Sequence, residues 1–145
     1  MTNLRIFMIL FLLSVIFDII LTHKTRECIF TQSDNNYNRI EIIFHLITHH
    51  FFNTFLNFGW IIDNFYIHII HIITCIIIII YWVANDYKCD YTIYVNKLCN
   101  WSEDKYFNDI FEIIGVKKYN VWHTVIHPLI LLFIIIYSIS KIIKK

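Results

Sequence analysis

The sequence predicts an all-α integral membrane protein: a bundle of about four transmembrane helices with a short amphipathic surface helix in the third loop. Three observations predict it. The chain of 145 residues is 58% hydrophobic and 18% aromatic but only 16% charged, where an average soluble domain carries about 25% charged residues. Three long stretches contain no Asp, Glu, Lys or Arg: Ile42 to Ile62, Phe65 to Asn85 and Tyr119 to Ser140. Each has about the 20 residues that a helix rising about 1.5 Å per residue needs to cross the hydrocarbon core. Aromatic residues mark the ends, Trp60 and Tyr66 on one face and Trp82, Tyr87, Tyr119 and Trp122 on the other, at the depth where amphipathic rings meet headgroups. In water the same composition would expose large apolar patches.

The first span covers about 6–22. It follows Arg5, its apolar run is interrupted only late, by Asp18, and no small-residue cleavage site precedes Lys24, so it reads as a retained anchor rather than a removed leader. Residues 23–41, with Ser33, Asp34, Asn35 and Asn36, read as a plain polar connection. The second span, about 42–62, and the third, about 65–85, are joined by the short turn at Asp63 and Asn64, which folds them into an antiparallel hairpin. In the loop 86–118, Ser102 can cap a helix whose first turn holds Glu103 and Asp104, Gly115 can end it, and Phe107, Ile110, Phe111 and Ile114 share a face. That predicts a surface helix at about 103–114. The fourth span covers about 119–140, and the whole chain 1–145 reads as one membrane domain.

Four spans put both termini on one side, side A, and the two longer loops on side B. Arg5, Lys141, Lys144 and Lys145 concentrate positive charge in very short tails, which places the termini in the cytosol. The side-B loops hold more basic residues in total, so the count alone decides neither orientation. The formal charge of +1 gives no electrostatic pull toward nucleic acid. The partners implied are the lipid bilayer, other membrane proteins or a second copy of the chain. Ala84 is the only alanine, Gly59 and Gly115 the only glycines, and Pro128 the only proline. Close small-residue contacts between helices are correspondingly scarce, and the bias toward Ile, Asn, Phe and Tyr fits an AT-rich genome.

Histidine carries the candidate site. His45, His49 and His50 fall in the second span, His68 and His71 in the third, and His123 and His127 in the fourth. Polar groups at membrane depth are costly and often functional. The spacing of four puts His45 with His49, and His123 with His127, on single helix faces, and both pairs enter from side B. With Asp18 near the side-B end of the first span, these four histidines form a candidate metal or haem site, with Asp18 as ligand or orienting group and His50 turned aside. The alternative is that the same rings bond neighbouring helices or interfacial water and hold no metal. Their spacing is similar to the histidine boxes of membrane di-iron desaturases and hydroxylases. The chain has no H-x-x-H-H box, however, and that chemistry is not carried over. No Gly-rich phosphate loop is present, and no Ser-His-Asp or Cys-His nucleophile set can be placed in water.

Of the four cysteines, Cys28, Cys89 and Cys99 lie on side B and Cys75 in the third span. A Cys89–Cys99 disulfide would close a small loop if side B faces an oxidising compartment; otherwise both remain thiols. Asn100, Trp101 and Ser102 form a glycosylation triplet with a bulky central residue. The series His71, Trp82, Cys89, Tyr91, Thr92, Asn96 and Cys99, followed by Phe107 and Asp109, resembles a pattern in uncharacterised small multi-pass membrane proteins, including ones from giant DNA viruses and, distantly, some bacterial ones. Tyr91 stands where that pattern has a small or apolar residue. The resemblance implies a class, and a host or organellar membrane, without a mechanism. The leading expectation is a multi-pass, non-enzymatic membrane component. The alternative is a metal- or haem-dependent membrane redox protein built on the histidines.

Overall fold

In the computed structural model, described for residues 2–32, 36–85, 90–101 and 125–144, the elements are α1 (Thr2–Leu21), α2 (His23–Glu27), α3 (Asn36–Phe58), α4 (Phe65–Ala84), α5 (Asp90–Leu98) and α6 (His127–Ile143). A π-helical turn, Cys28–Gln32, follows α2, and a 3-10 turn, Gly59–Ile61, follows α3. Among the described residues no strand occurs, so the all-α class holds. The predicted surface helix at 103–114, Cys89, His123 and the start of the fourth predicted span at Tyr119 lie outside the described residues.

The contacts divide the chain into two compact units, one of Met1–Leu10, Phe52–Tyr87 and Lys118–Lys145, the other of Phe11–Phe51 and Lys88–Lys117. In the first unit, α4 starts where the Asn64 side chain accepts the Ile67 N–H at 3.2 Å, which satisfies one of the donors a helix start leaves open. Its buried stripe is His68, His71 and Cys75, spaced three and four apart as one face requires. The exposed side carries Ile70, Ile73, Ile76, Ile77, Ile80 and Val83. That is the reverse of a soluble amphipathic helix, whose apolar stripe faces inward. In α6, Pro128 occupies the first turn, where its missing N–H costs nothing. Leu131 and Ile135 point inward, and with Leu56 and Cys75 they form a small core flanked by Ile72, Ile79 and Trp82.

Helix α3 departs from the expected 42–62 span: it begins at Asn36 and ends at Phe58. Gly59 follows that end and opens the 3-10 turn. A Cβ there would stand 2.6 Å from His71 Cδ2 and 3.0 Å from the Phe55 ring, so only a glycine lets the chain turn this close to the buried His71 ring. Among the described helices, α1 from Asn3 and α4 are long and apolar enough to cross a membrane. At 20 residues each they measure about 30 Å, the thickness of a hydrocarbon core. The apolar α6, with 17 residues, is shorter, and α3 includes Arg39, Glu41, three histidines and Asn53 and Asn57.

The second unit overturns two expectations about the loops. Residues 23–32 are no plain connection, Ser33, Asp34 and Asn35 lying outside the described residues: α2 and the π-helical turn run through them, and Thr25, Cys28 and Ile29 are buried. Their spacing of three and four gives that short helical stretch an inward face. Secondly, Cys99 is bonded to Cys28, with the Cα atoms 5.4 Å apart, and not to Cys89. Both sulfurs sit inside a cluster with Ile29, Ile42, Leu46 and Val95, which brings together elements distant in sequence. The Cys99 half of the bridge is presented by α5, an element absent from the sequence reading. Its end is a Schellman turn: Asn100 N–H bonds Lys97 O at 3.3 Å and Trp101 N–H bonds Asn96 O at 2.8 Å. Asn100 takes the left-handed position with φ 52°, where Gly or Asn is favoured, and Trp101 packs back on the cluster, as this motif's apolar contact does. Tyr94 further ties α5 to α3 by donating its O–H to Glu41 at 2.5 Å.

Candidate functional site: a buried polar clamp

The face of α3 that points inward is set by Ile42 and Leu46, both fully buried. Four residues further along the same face is His50, not His45 or His49. The expectation that His50 is turned aside is therefore corrected: it is fully buried, and it is the histidine that meets Asp18. The sequence reading erred by one residue, which on a helix is about 100° of rotation.

His50 bridges two residues of α1. Its Nε2 lies 3.0 Å from Asp18 Oδ2, and its Nδ1 lies 2.6 Å from Ser14 Oγ. A neutral ring protonated at Nε2 matches both partners, donating to the carboxylate and accepting the Ser14 O–H. Thr25 Oγ1 donates to the second carboxylate oxygen, Oδ1, at 3.2 Å. Ser14 and Asp18 are four apart on α1 and so share a face, and all four side chains are buried. Each Asp18 oxygen has a donor and each His50 nitrogen a partner, which is the condition under which a buried ionisable group is tolerated.

The order Ser14, His50, Asp18 is that of a nucleophile, a base and an orienting carboxylate. The surroundings differ from a hydrolase. Ser14 sits in the middle of α1, where the backbone N–H groups around it are taken by the helix. Those N–H groups are therefore not free to receive an oxyanion. What the set does is hold α1, α2 and α3 together by polar bonds in an apolar setting. His45, expected as a ligand, packs its ring on Tyr94 and Tyr91 at 4.8 and 5.6 Å between centroids. The His49 ring stands edge-on to that of His50.

In the first unit, His127 bonds Asn57 Oδ1 through Nε2 at 3.0 Å and its ring lies 5.1 Å from that of Trp82. Asn57 in turn donates to the Asn53 backbone and side-chain oxygens at 2.8 and 2.9 Å. His71 donates from Nε2 to Leu56 O at 3.1 Å. Of the five expected metal ligands, Asp18, His45 and His49 thus lie in the second unit, His127 lies in the first, and His123 falls outside the described residues. Among the described residues no group of three or more His, Cys, Asp or Glu side chains is close enough to share a metal ion. Ser14 and Thr25 were missed as site residues, while Asn57, with Asn53 and Thr124, is among the polar residues expected to bond a neighbouring helix. The signal for Ser14 was its i, i+4 spacing from Asp18 within an otherwise apolar helix.

No protein-family model, curated protein or solved structure matches the chain.

Proposed function

We propose that the chain is a multi-pass integral membrane protein with α1, α3, α4 and α6 as its four spans, working as a non-enzymatic membrane component through contacts with lipid and other membrane proteins. The observation that carries the proposal is the reversed polarity of the helices. Asp18, His50, Thr54, Asn57, His71 and Ser138 are buried, while Phe44 and Ile47 of α3, Ile77 and Ile80 of α4, and Phe133 and Ile136 of α6 are exposed. Exposed apolar faces are costly in water and cost-free in hydrocarbon, and polar side chains turned inward bond across helices, as membrane helices use them. The retained role of α1 rests on Ser14 and Asp18: removing the helix would strip His50 of both partners. The resemblance to uncharacterised small multi-pass proteins, some of them viral, points to the same class.

The Cys28–Cys99 bridge supports an orientation. Structural disulfides form and persist in oxidising compartments, so the loops on side B face the lumen or exterior, and both termini, on side A, face the cytosol. Two experiments test the reading. After alkaline carbonate extraction the protein should remain in the membrane pellet, and epitope tags at both termini should be reached by antibody once the plasma membrane alone is permeabilised. Release into the supernatant, or tags on opposite sides, overturns it. Protein purified in detergent should contain no stoichiometric metal and no visible haem band; either one would replace the non-enzymatic reading with a redox one.

A further inference from the structure

We infer that Asn100 carries an N-linked oligosaccharide. This rests on the orientation proposed above, in which side B faces an oxidising lumen. Asn100, Trp101 and Ser102 form the only Asn-x-Ser or Asn-x-Thr triplet in the sequence. Its acceptor is exposed, one residue beyond Cys99 of the disulfide. The turn that displays it is held by the two backbone bonds from Asn100 N–H and Trp101 N–H, so a sugar on the side-chain amide disturbs neither. The Trp101 ring, the bulky central residue, packs against the cluster around Cys28 and Cys99, on the protein side of the turn. The left-handed φ of Asn100 accounts for Gly or Asn at that position. It asks for nothing at position 102, and the Ser there completes the acceptor.

In the reaction, the Asn100 Nδ2 attacks the anomeric carbon of a lipid-linked oligosaccharyl pyrophosphate. The new bond joins nitrogen to that carbon, the bond from the carbon to the pyrophosphate oxygen breaks, the lipid pyrophosphate leaves with the electron pair, and one amide proton passes to the transferase base. No oxidant is needed. The product places a bulky, strongly hydrated group on the side-B surface.

The full chain should be translated with endoplasmic-reticulum microsomes and its gel mobility read with and without peptide N-glycosidase. One glycosidase-sensitive shift is expected for the natural sequence. It should vanish in Ser102→Ala, which leaves Asn100 in place, and in Asn100→Gly, which keeps the left-handed turn. A reporter, Tyr37→Thr in the Ser102→Ala background, completes an acceptor triplet at Asn35, beside the side-B start of α3, and should restore one shift. If the reporter is glycosylated and the natural sequence is not, the inference about Asn100 falls while the orientation stands. If neither is glycosylated, the orientation falls and takes the inference with it. A shift that survives Ser102→Ala also overturns the assignment.

Discussion

Replacing Cys28 and Cys99 together by alanine is expected to destabilise the protein by about 3 to 4 kcal/mol. The cross-link spans 71 residues. Were all of that chain free in the reference state, loop-closure entropy would give about 4.4 kcal/mol at 25 °C. In the membrane reading it is not free, because α3 and α4 stay helical and inserted; only roughly 28 residues outside them gain freedom, and the same relation gives about 3.6 kcal/mol. The lower figure applies if the membrane reading is right. Reversible unfolding in mixed micelles, followed by circular dichroism as the fraction of SDS rises, measures the difference. Reduced natural protein should match the double variant. On non-reducing gels the mobility change on reduction should disappear in Cys28→Ala and persist in Cys89→Ala. A loss below about 1 kcal/mol would refute the closed-loop reasoning, given the usual range for native bridges. Loss of the mobility change in Cys89→Ala alone would refute the pairing.

Other expectations follow from individual contacts. His50→Ala leaves Asp18 buried without its ring partner and should cost about 3 to 5 kcal/mol, whereas His50→Leu with Asp18→Leu should recover much of that; equal losses in single and double variants would show that the pair is not coupled. Gly59→Ala puts a Cβ 2.6 Å from a buried His71 carbon and should cost about 1 to 3 kcal/mol. The cost should shrink when His71→Ala is added, and an unchanged cost would place the strain elsewhere. A double-mutant cycle of Asn57→Ala and His127→Ala should return a coupling of about 0.6 to 1.7 kcal/mol, the range for polar contacts between membrane helices; a value near zero would mean the 3.0 Å bond holds nothing.

The helical class and the limits of α4 were legible because a charge-free run bounded by polar residues leaves little choice of register. Helix α3 was legible in existence and not in extent. Its charge-free window runs through Gly59 to Ile62, and only the structure shows the change to a 3-10 turn at Gly59, where the nearby His71 ring leaves no room for a side chain. The site was half legible. Asp18 stood out as a carboxylate in an apolar run and does orient a histidine. Less than two turns of α3 offer His45, His49 and His50, and the choice among them depends on the packing of Ile42 and Leu46, which spacing alone cannot rank. The Cys28–Cys99 bridge was hidden for a related reason: the nearer cysteine, Cys89, closes a shorter loop, and the partnership of Cys28 appears only once α2 and the π-helical turn fold 23–32 into an ordered element.

The bond between Asp18 and His50 also bears on the order of biosynthesis in the membrane reading. A carboxylate in the last turn of α1 still adds to the insertion cost, though by less than the roughly 2.5 to 3.5 kcal/mol of a helix centre, and the ring that compensates Asp18 is 32 residues further along the chain. When α1 reaches the membrane, that ring has not yet emerged beside it. A helix carrying this debt into lipid by itself is a poor candidate for early release from the insertion machinery. The first helix is therefore expected to linger at the lateral gate until α3 emerges, and the two should enter the bilayer as a pair.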